Sequence, residues 1–224
     1  DRVEVYADEG RDRVLATIPF LRQQRKKEKV DTYFALSDYI APREAGVADY
    51  IGFFADTAGI GLEELVEGYQ SRRDDYSAIM AKVLADRLAE ALAERLHERV
   101  RTEFWGYAPD EKLPIEELLK VRYQGIRPAP GYPACPDHAD KAVIFDLMDV
   151  TAKTGITLTE SNMMVPGASV SGYYFSHPAC KYFAVGKLAR DQVSDFADRL
   201  GLTQEEAETR LASTLGYDRQ VQSR

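Results

Sequence analysis

Tyr76-Ser-Ala-Ile-Met-Ala-Lys-Val-Leu-Ala-Asp-Arg-Leu-Ala-Glu-Ala-Leu-Ala-Glu-Arg-Leu96 carries its apolar residues at helical spacing. Tyr76, Met80, Val83, Leu84, Leu88, Ala91, Leu92 and Leu96 fall on one broad face, with Arg and Glu opposite. A period near 3.6 predicts an amphipathic helix with that face turned to the core. The pattern runs from Leu62 to about Phe104, as one long helix or two in tandem broken near Arg73-Asp74.

Upstream, Arg2 to Tyr6 alternates Val3 and Val5 with charges and meets a turn at Asp8-Glu9-Gly10, which reads as a strand. Residues 11 to 29 begin helix-like and turn basic, with Arg22, Arg25, Lys26, Lys27 and Lys29. Thr32 to Ile40 and Asp49 to Ala55 are aromatic and partly alternating, with a turn at Pro42 to Gly46 between them. They are expected to pair as strands. Downstream, Ile115 to Val121 predicts a short helix, and Gly125 to Pro136 is too rich in Pro and Gly for a regular element. Asp140 to Thr154 predicts a second amphipathic helix, with Gly155 as its C-cap. Thr157 to Ser161, Ser169 to Phe175 and Tyr182 to Leu188 read as strands. Asp191 to Leu200 and Thr203 to Leu211 read as closing helices, each with a polar N-cap candidate. Helices and strands do not alternate regularly, and no G-x-G-x-x-G follows a strand. An α+β fold is therefore expected rather than a doubly wound sheet.

Composition narrows the functional classes. Twenty-nine basic against 37 acidic residues leave a net charge of -8, which argues against a nucleic-acid surface. No apolar run approaches the ~18 residues of a membrane span. Cys135 and Cys180 make no disulfide framework, so a reducing cytoplasm is the expected location. The chain is long enough for one sizeable core.

The segment Tyr123-Gln-Gly-Ile-Arg-Pro-Ala-Pro-Gly-Tyr-Pro-Ala-Cys-Pro-Asp-His138 has chemistry suited to a zwitterionic ligand. Arg127 offers a planar fork to a carboxylate, and the flanking prolines stiffen the loop before any ligand arrives. Gly131 removes a Cβ where a ligand approaches backbone. Tyr132 and Tyr182 suit a cation or a stacked ring, and Glu90 lies at the edge of the long helix's apolar face. Spacing alone equally suits a surface loop, a salt-bridging arginine, two core tyrosines and a solvated glutamate.

This segment closely resembles the Arg-x-x-x-Gly-Tyr motif of the activation domain of cobalamin-dependent methionine synthase. The resemblance continues through Ala81 to Glu90, Leu96 to Arg99, Trp105 to Pro109, Leu158 to Ser161, Pro166 to Gly172, Tyr174 to Pro178 and Lys181 to Val185. It covers essentially the whole chain in order, and residues 1–224 read as a single domain. The resemblance implies a C-shaped or helmet-like α+β fold with a mainly antiparallel sheet and long amphipathic helices. It implies S-adenosylmethionine binding at Arg127, Tyr182 and Phe183, with Ala129, Gly131, Tyr132 and Glu90 as neighbours. Phe183 stands where relatives carry Tyr.

It further implies one part of a methyltransferase that serves methionine biosynthesis. Cobalamin on a neighbouring domain falls to cob(II)alamin, a flavodoxin-like or other flavoprotein donor reduces it, and the ligand held here supplies the methyl group. A cobalamin-binding domain and that donor are thus the implied partners. By its charge the run from Arg22 to Lys29 reads first as a solvated helix end, and alternatively as a receiver for an acidic donor. Family domains are longer, and their additional upstream part supplies an acidic residue to the ligand site. Weakened ligand binding is therefore expected of these 224 residues. The alternative is a free-standing S-adenosylmethionine sensor or corrinoid-protein cap without methyl transfer.

Two other signals point elsewhere. Cys135-x-x-His138 and His177-x-x-Cys180 imitate a zinc site, and a metal-dependent hydrolase would use Cys135 and His138. Both pairs fall within family segments explained without metal, so none is expected. Gly167-Ala-Ser-Val-Ser171 lacks the second Gly of a nucleophile elbow and reads as a strand.

Overall fold

A computed structural model describes residues 1–24 and 32–219. Strand β1 (Arg2–Tyr6) forms an antiparallel hairpin with β2 (Val14–Pro19). The helix expected from residue 11 is therefore corrected. Val14, Thr17 and Ile18 are β-branched and Pro19 disrupts a helix interior, while Ile18 packs into the core beside Val3. Arg25, Lys26, Lys27 and Lys29 lie outside the described residues. Arg22, from the same run, is held by the carboxylates of Asp1 and Asp38.

Residues 32–40 hold no strand. Leu36–Tyr39 makes a single 3-10 turn, and Asp38 Oδ2 accepts from the Ala35 amide at 2.9 Å to close it. Strand β3 (Gly52–Thr57) consequently pairs with the distant β6 (Ser169–Tyr174), in antiparallel register from Gly52↔Tyr174 to Thr57↔Ser169. This ladder separates two packed layers, because successive side chains alternate across it. Phe53, Tyr173 and Phe175 join the main core with Phe20, Leu36, Tyr39, Ile126 and Ile144. Phe54 and Tyr174 point the other way, toward the long helix.

Helices α1 (Leu62–Gln70) and α2 (Asp75–Arg99) are separated by a turn in which Arg73 has φ 59°. Asp74 caps α2 by accepting from the Ser77 amide at 3.0 Å. The helix pair is as expected, but the face is not. The buried residues of α2 are Ala78, Ala85, Ala89, Ala93 and His97. Leu88 is 61% exposed and Ala89 only 1%. Tyr76, Met80, Val83, Leu84, Ala91 and Leu92 are likewise exposed, and only Leu96 of the expected face is partly buried. The reason is space. Phe54 and Tyr174 stack at 4.8 Å beneath the helix, so Ala93 packs there as a methyl-sized side chain and His97, one turn on, lies flat on Tyr174. The larger residues turn outward, and Tyr76, Met80, Leu84 and Leu88, with Leu65 and Tyr69 of α1, line an open apolar groove.

Helix α2 ends in a π turn, Val100–Phe104, closed by Trp105 N donating to Val100 O at 3.0 Å. A short α3 (Ile115–Leu119) precedes the irregular Pro-rich segment. The single helix expected over 140–154 is split into α4 (Asp140–Met148) and α5 (Val150–Thr154) by Asp149, at φ 54°. Gly155, at φ 76°, ends α5. Two-residue strands β4 (Thr157–Leu158) and β5 (Met164–Val165) pair. Residues 182–188 are not a strand, because their backbone is engaged singly by neighbouring loops. Val185 N donates to Pro133 O at 2.8 Å, and Leu188 bridges Leu215.

Helices α6 (Arg190–Leu200) and α7 (Gln204–Arg210) build a second core around Val193, Phe196, Ala207 and Leu211. Thr203 and Glu206 form a capping box on α7, whereas α6 starts at Ala189 without a side-chain cap. The described residues form an α+β fold with three small antiparallel sheets. Among the described residues no helix is long and apolar enough to cross a membrane.

Candidate functional site

The Pro-rich segment lies along the free edge of β6. Ile126 and Phe175 each donate an amide to the other's carbonyl at 3.0 Å, and Tyr173 N donates to Pro128 O at 2.9 Å. Gly172 makes this approach possible. A Cβ there would stand 2.6 Å from Pro128 O and 2.9 Å from the Phe54 ring. Arg127 is thereby presented on the α2 side of the sheet.

Its side chain, 14% exposed, is held before any ligand arrives. Nη2 donates to the carboxylate of Glu94 on α2, Nη1 to the Tyr123 hydroxyl at 3.2 Å, and the backbone N to the Tyr182 hydroxyl at 3.0 Å. Behind Tyr123 the guanidinium of buried Arg101 lies 4.1 Å from the ring centroid, and Arg101 is itself locked to half-buried Glu111 at 2.6 Å. His97 packs edge-on against Tyr123 and stacks on Tyr174, each at 5.1 Å. Burial, reinforced by Arg101 and Arg127, lowers its pKa to about 2, so the ring is neutral. The platform is a stack of aromatic and guanidinium planes, worth roughly 0.5–2 kcal/mol per cation–π contact.

Two further carboxylates neighbour one another on this side of the sheet. Glu90 is half-buried on α2. Asp56, at 7% exposure, sits on β3 two residues beyond Phe54, with neither oxygen hydrogen-bonded. Two residues of strand advance ~6.6 Å and four of helix ~6 Å. Since Phe54 meets Ala93, Asp56 comes level with Ala89 and Glu90. Burial, then repulsion from Glu90, raises its pKa to about 7 against the opposing pull of Arg127.

The structure thus joins Arg127 to Tyr182 and sets Asp56 within electrostatic reach of both Arg127 and Glu90, with half-buried Ala129 two residues along the chain from Arg127. Gly131 and Tyr132 lie farther along the loop, in a groove of about 770 Å³ shared with Gln24, Pro133, Ala184 and Gly186. Tyr132 is 57% exposed there. Gly131, at φ 95°, abuts His138, whose ring would lie 2.3 Å from an added Cβ. The Phe183 ring turns inward, packing on Phe34 at 6.0 Å and against both larger cores. Asp56, Glu94 and Tyr123 are absent from the sequence-based set. Asp56 falls one residue past the expected end of its strand, although period-2 alternation from Phe54 is the signal that places it here.

The Cys and His pairs have local partners. Cys135 Sγ donates to Asp140 Oδ2 at 3.2 Å, His138 Nδ1 meets Lys141 Nζ at 2.6 Å, and His177 Nδ1 accepts from the Ala179 amide. Among the described residues no three His, Cys, Asp or Glu side chains converge as metal ligands.

Residues 1–201 match the family model described as "Vitamin B12 dependent methionine synthase, activation domain". A crystal structure of the MetH reactivation domain bound to AdoHcy superposes with a TM-score of 0.93 at 54% sequence identity. The match covers 97% of this chain and 66% of that one, so the chain spans about two thirds of the solved domain's length. With the match running through α2, the Arg127 segment and β6 alike, the chain belongs to the activation-domain family of vitamin B12-dependent methionine synthase.

Proposed function

We propose that this chain binds S-adenosylmethionine and presents its methyl group to a cobalamin held by a neighbouring domain, within the reductive reactivation of a methionine synthase. The observation that carries this reading is the 54% identity to a reactivation domain solved with AdoHcy, the demethylated form of that donor.

The residues present fit such a ligand. Arg127 supplies a planar donor fork for the methionine carboxylate, already desolvated and oriented by Tyr123 and Tyr182. Glu90 supplies an acceptor for the ammonium or a ribose hydroxyl. Tyr132, exposed beside Gly131, supplies a ring face farther along the loop. Reduced cobalamin, when docked, provides the nucleophile that takes the methyl from sulfur. The residues of this chain hold and aim the donor, a proximity effect that needs no general base. A cobalamin-binding domain is the partner required, and reduction by a flavodoxin-like protein belongs to the same reading.

Calorimetric titration with S-adenosylmethionine tests it. Saturable one-site binding is expected, and Arg127→Ala should weaken it by about 1.5–3 kcal/mol, the scale of a charge-assisted hydrogen bond. Arg127→Lys should recover little, because the fork is lost. A folded protein that takes up no ligand refutes the proposal.

A further inference from the structure

We infer that Asp56 is a further ligand-binding residue of this site, pairing with the positive charge at the methionine end of S-adenosylmethionine. The inference rests on the reading of the site given above. Asp56 is more than nine-tenths buried, yet neither carboxylate oxygen has a hydrogen-bond partner. A buried carboxylate without a partner is costly, and such a group persists where something else satisfies it. Its place in the fold says what. It shares the α2-facing side of the β3–β6 ladder with Phe54 and Gly172, level with Glu90 and within electrostatic reach of Arg127.

The charged and titratable groups that face it are Glu90 on α2, Arg127 on the segment crossing the sheet edge, and Tyr174 on β6. Arg127 is already engaged by Glu94, Tyr123 and its own backbone contact to Tyr182, and it makes no hydrogen bond to Asp56. Asp56 and Glu90 therefore make an acceptor pair beside a donor fork. That is the charge pattern of an α-amino acid: fork to carboxylate, carboxylates to cation. The ligand carries two cationic centres that could fill the role, its ammonium and its sulfonium.

An unpaired Asp56 holds its proton to about pH 7. Pairing with a cation lowers that pKa, so ligand binding at pH 7 should expel up to about half a proton from this group.

The test is calorimetry of the protein with S-adenosylmethionine and S-adenosylhomocysteine at pH 7, in two buffers of different ionisation enthalpy. Wild-type protein should release a fraction of a proton on binding S-adenosylmethionine. Asp56→Asn, which keeps the shape and removes an uncompensated charge, should fold normally and bind about ten- to a hundredfold more weakly without proton release. Equal losses for both ligands assign the contact to the ammonium, which both carry. A loss confined to S-adenosylmethionine assigns it to the sulfonium. Binding by wild type without proton release, or by Asp56→Asn at wild-type affinity, overturns the inference while leaving the proposed function standing. Absence of binding by wild type overturns the proposed function itself.

Discussion

Asp140 offers the sharpest test of the electrostatics of this fold. It is buried as the first residue of α4, and burial together with nearby Asp137 raises its carboxyl from 3.8 to about 8. The folded protein therefore holds a proton that the unfolded chain gives up near pH 4. The sign follows directly: for an acid raised on folding, stability is greatest below the unfolded pKa and is lost as pH rises toward the folded one. Each pKa unit is worth about 1.4 kcal/mol, so keeping Asp140 protonated at pH 7 costs on the order of 4 kcal/mol relative to pH 4. Asp140→Asn has nearly the same shape, still accepts the Cys135 thiol, and carries no proton to lose. In urea denaturation from pH 5 to 8 the variant should gain on the wild type by about 1.4 kcal/mol per pH unit, the gain tapering as pH approaches 8, with unchanged m. His97, with its window between about 2 and 6.5, and Asp56, with its midpoint near pH 7, are present in both proteins and cancel in the difference. Parallel curves for wild type and variant across pH 5 to 8 would refute the reasoning.

Two stability effects follow from packing. Ala93→Leu forces a large side chain against the Phe54 and Tyr174 layer and should cost about 1–3 kcal/mol, whereas Leu88→Gln on the outer face should stay within about 0.5 kcal/mol, both read from urea midpoints. Glu111→Ala strands the buried Arg101 guanidinium and should cost about 3–5 kcal/mol by the same measurement; a loss under 1 kcal/mol would mean that water reaches Arg101.

The helical period of residues 62–104 and its break near Arg73 are readable because they are local: spacing and capping suffice. The inward face is not, because it depends on what lies beneath. Large apolar residues mark the inside only where there is room, and the Phe54–Tyr174 stack leaves room for Ala93 and a flat-stacked His97. The mispaired strands share one cause. Residues 32–40 and 49–55 are neighbours in sequence, yet β3 takes its partner from Ser169–Tyr174, and pattern alone does not choose among partners of similar character. Of the candidate site, Arg127, Glu90 and Tyr182 are named in the sequence because the segments resembling the family carry them. Asp56 and Glu94 emerge only once α2 is laid across the sheet.

The two halves of the site have different folding histories. Helix α2 spans 25 residues rich in Ala, Leu, Glu and Arg, above the ~12–15 residues at which isolated helices become marginally stable, so the wall bearing Glu90 and Glu94 forms from local contacts. The opposite wall waits on a ladder whose partners, such as Thr57 and Ser169, stand 112 residues apart, and closing so long a loop is slow. Arg127 reaches its post only after that ladder and its edge are in place. No partly folded form therefore presents both the donor fork and the facing carboxylates, and a ligand that needs both stabilises only the finished fold.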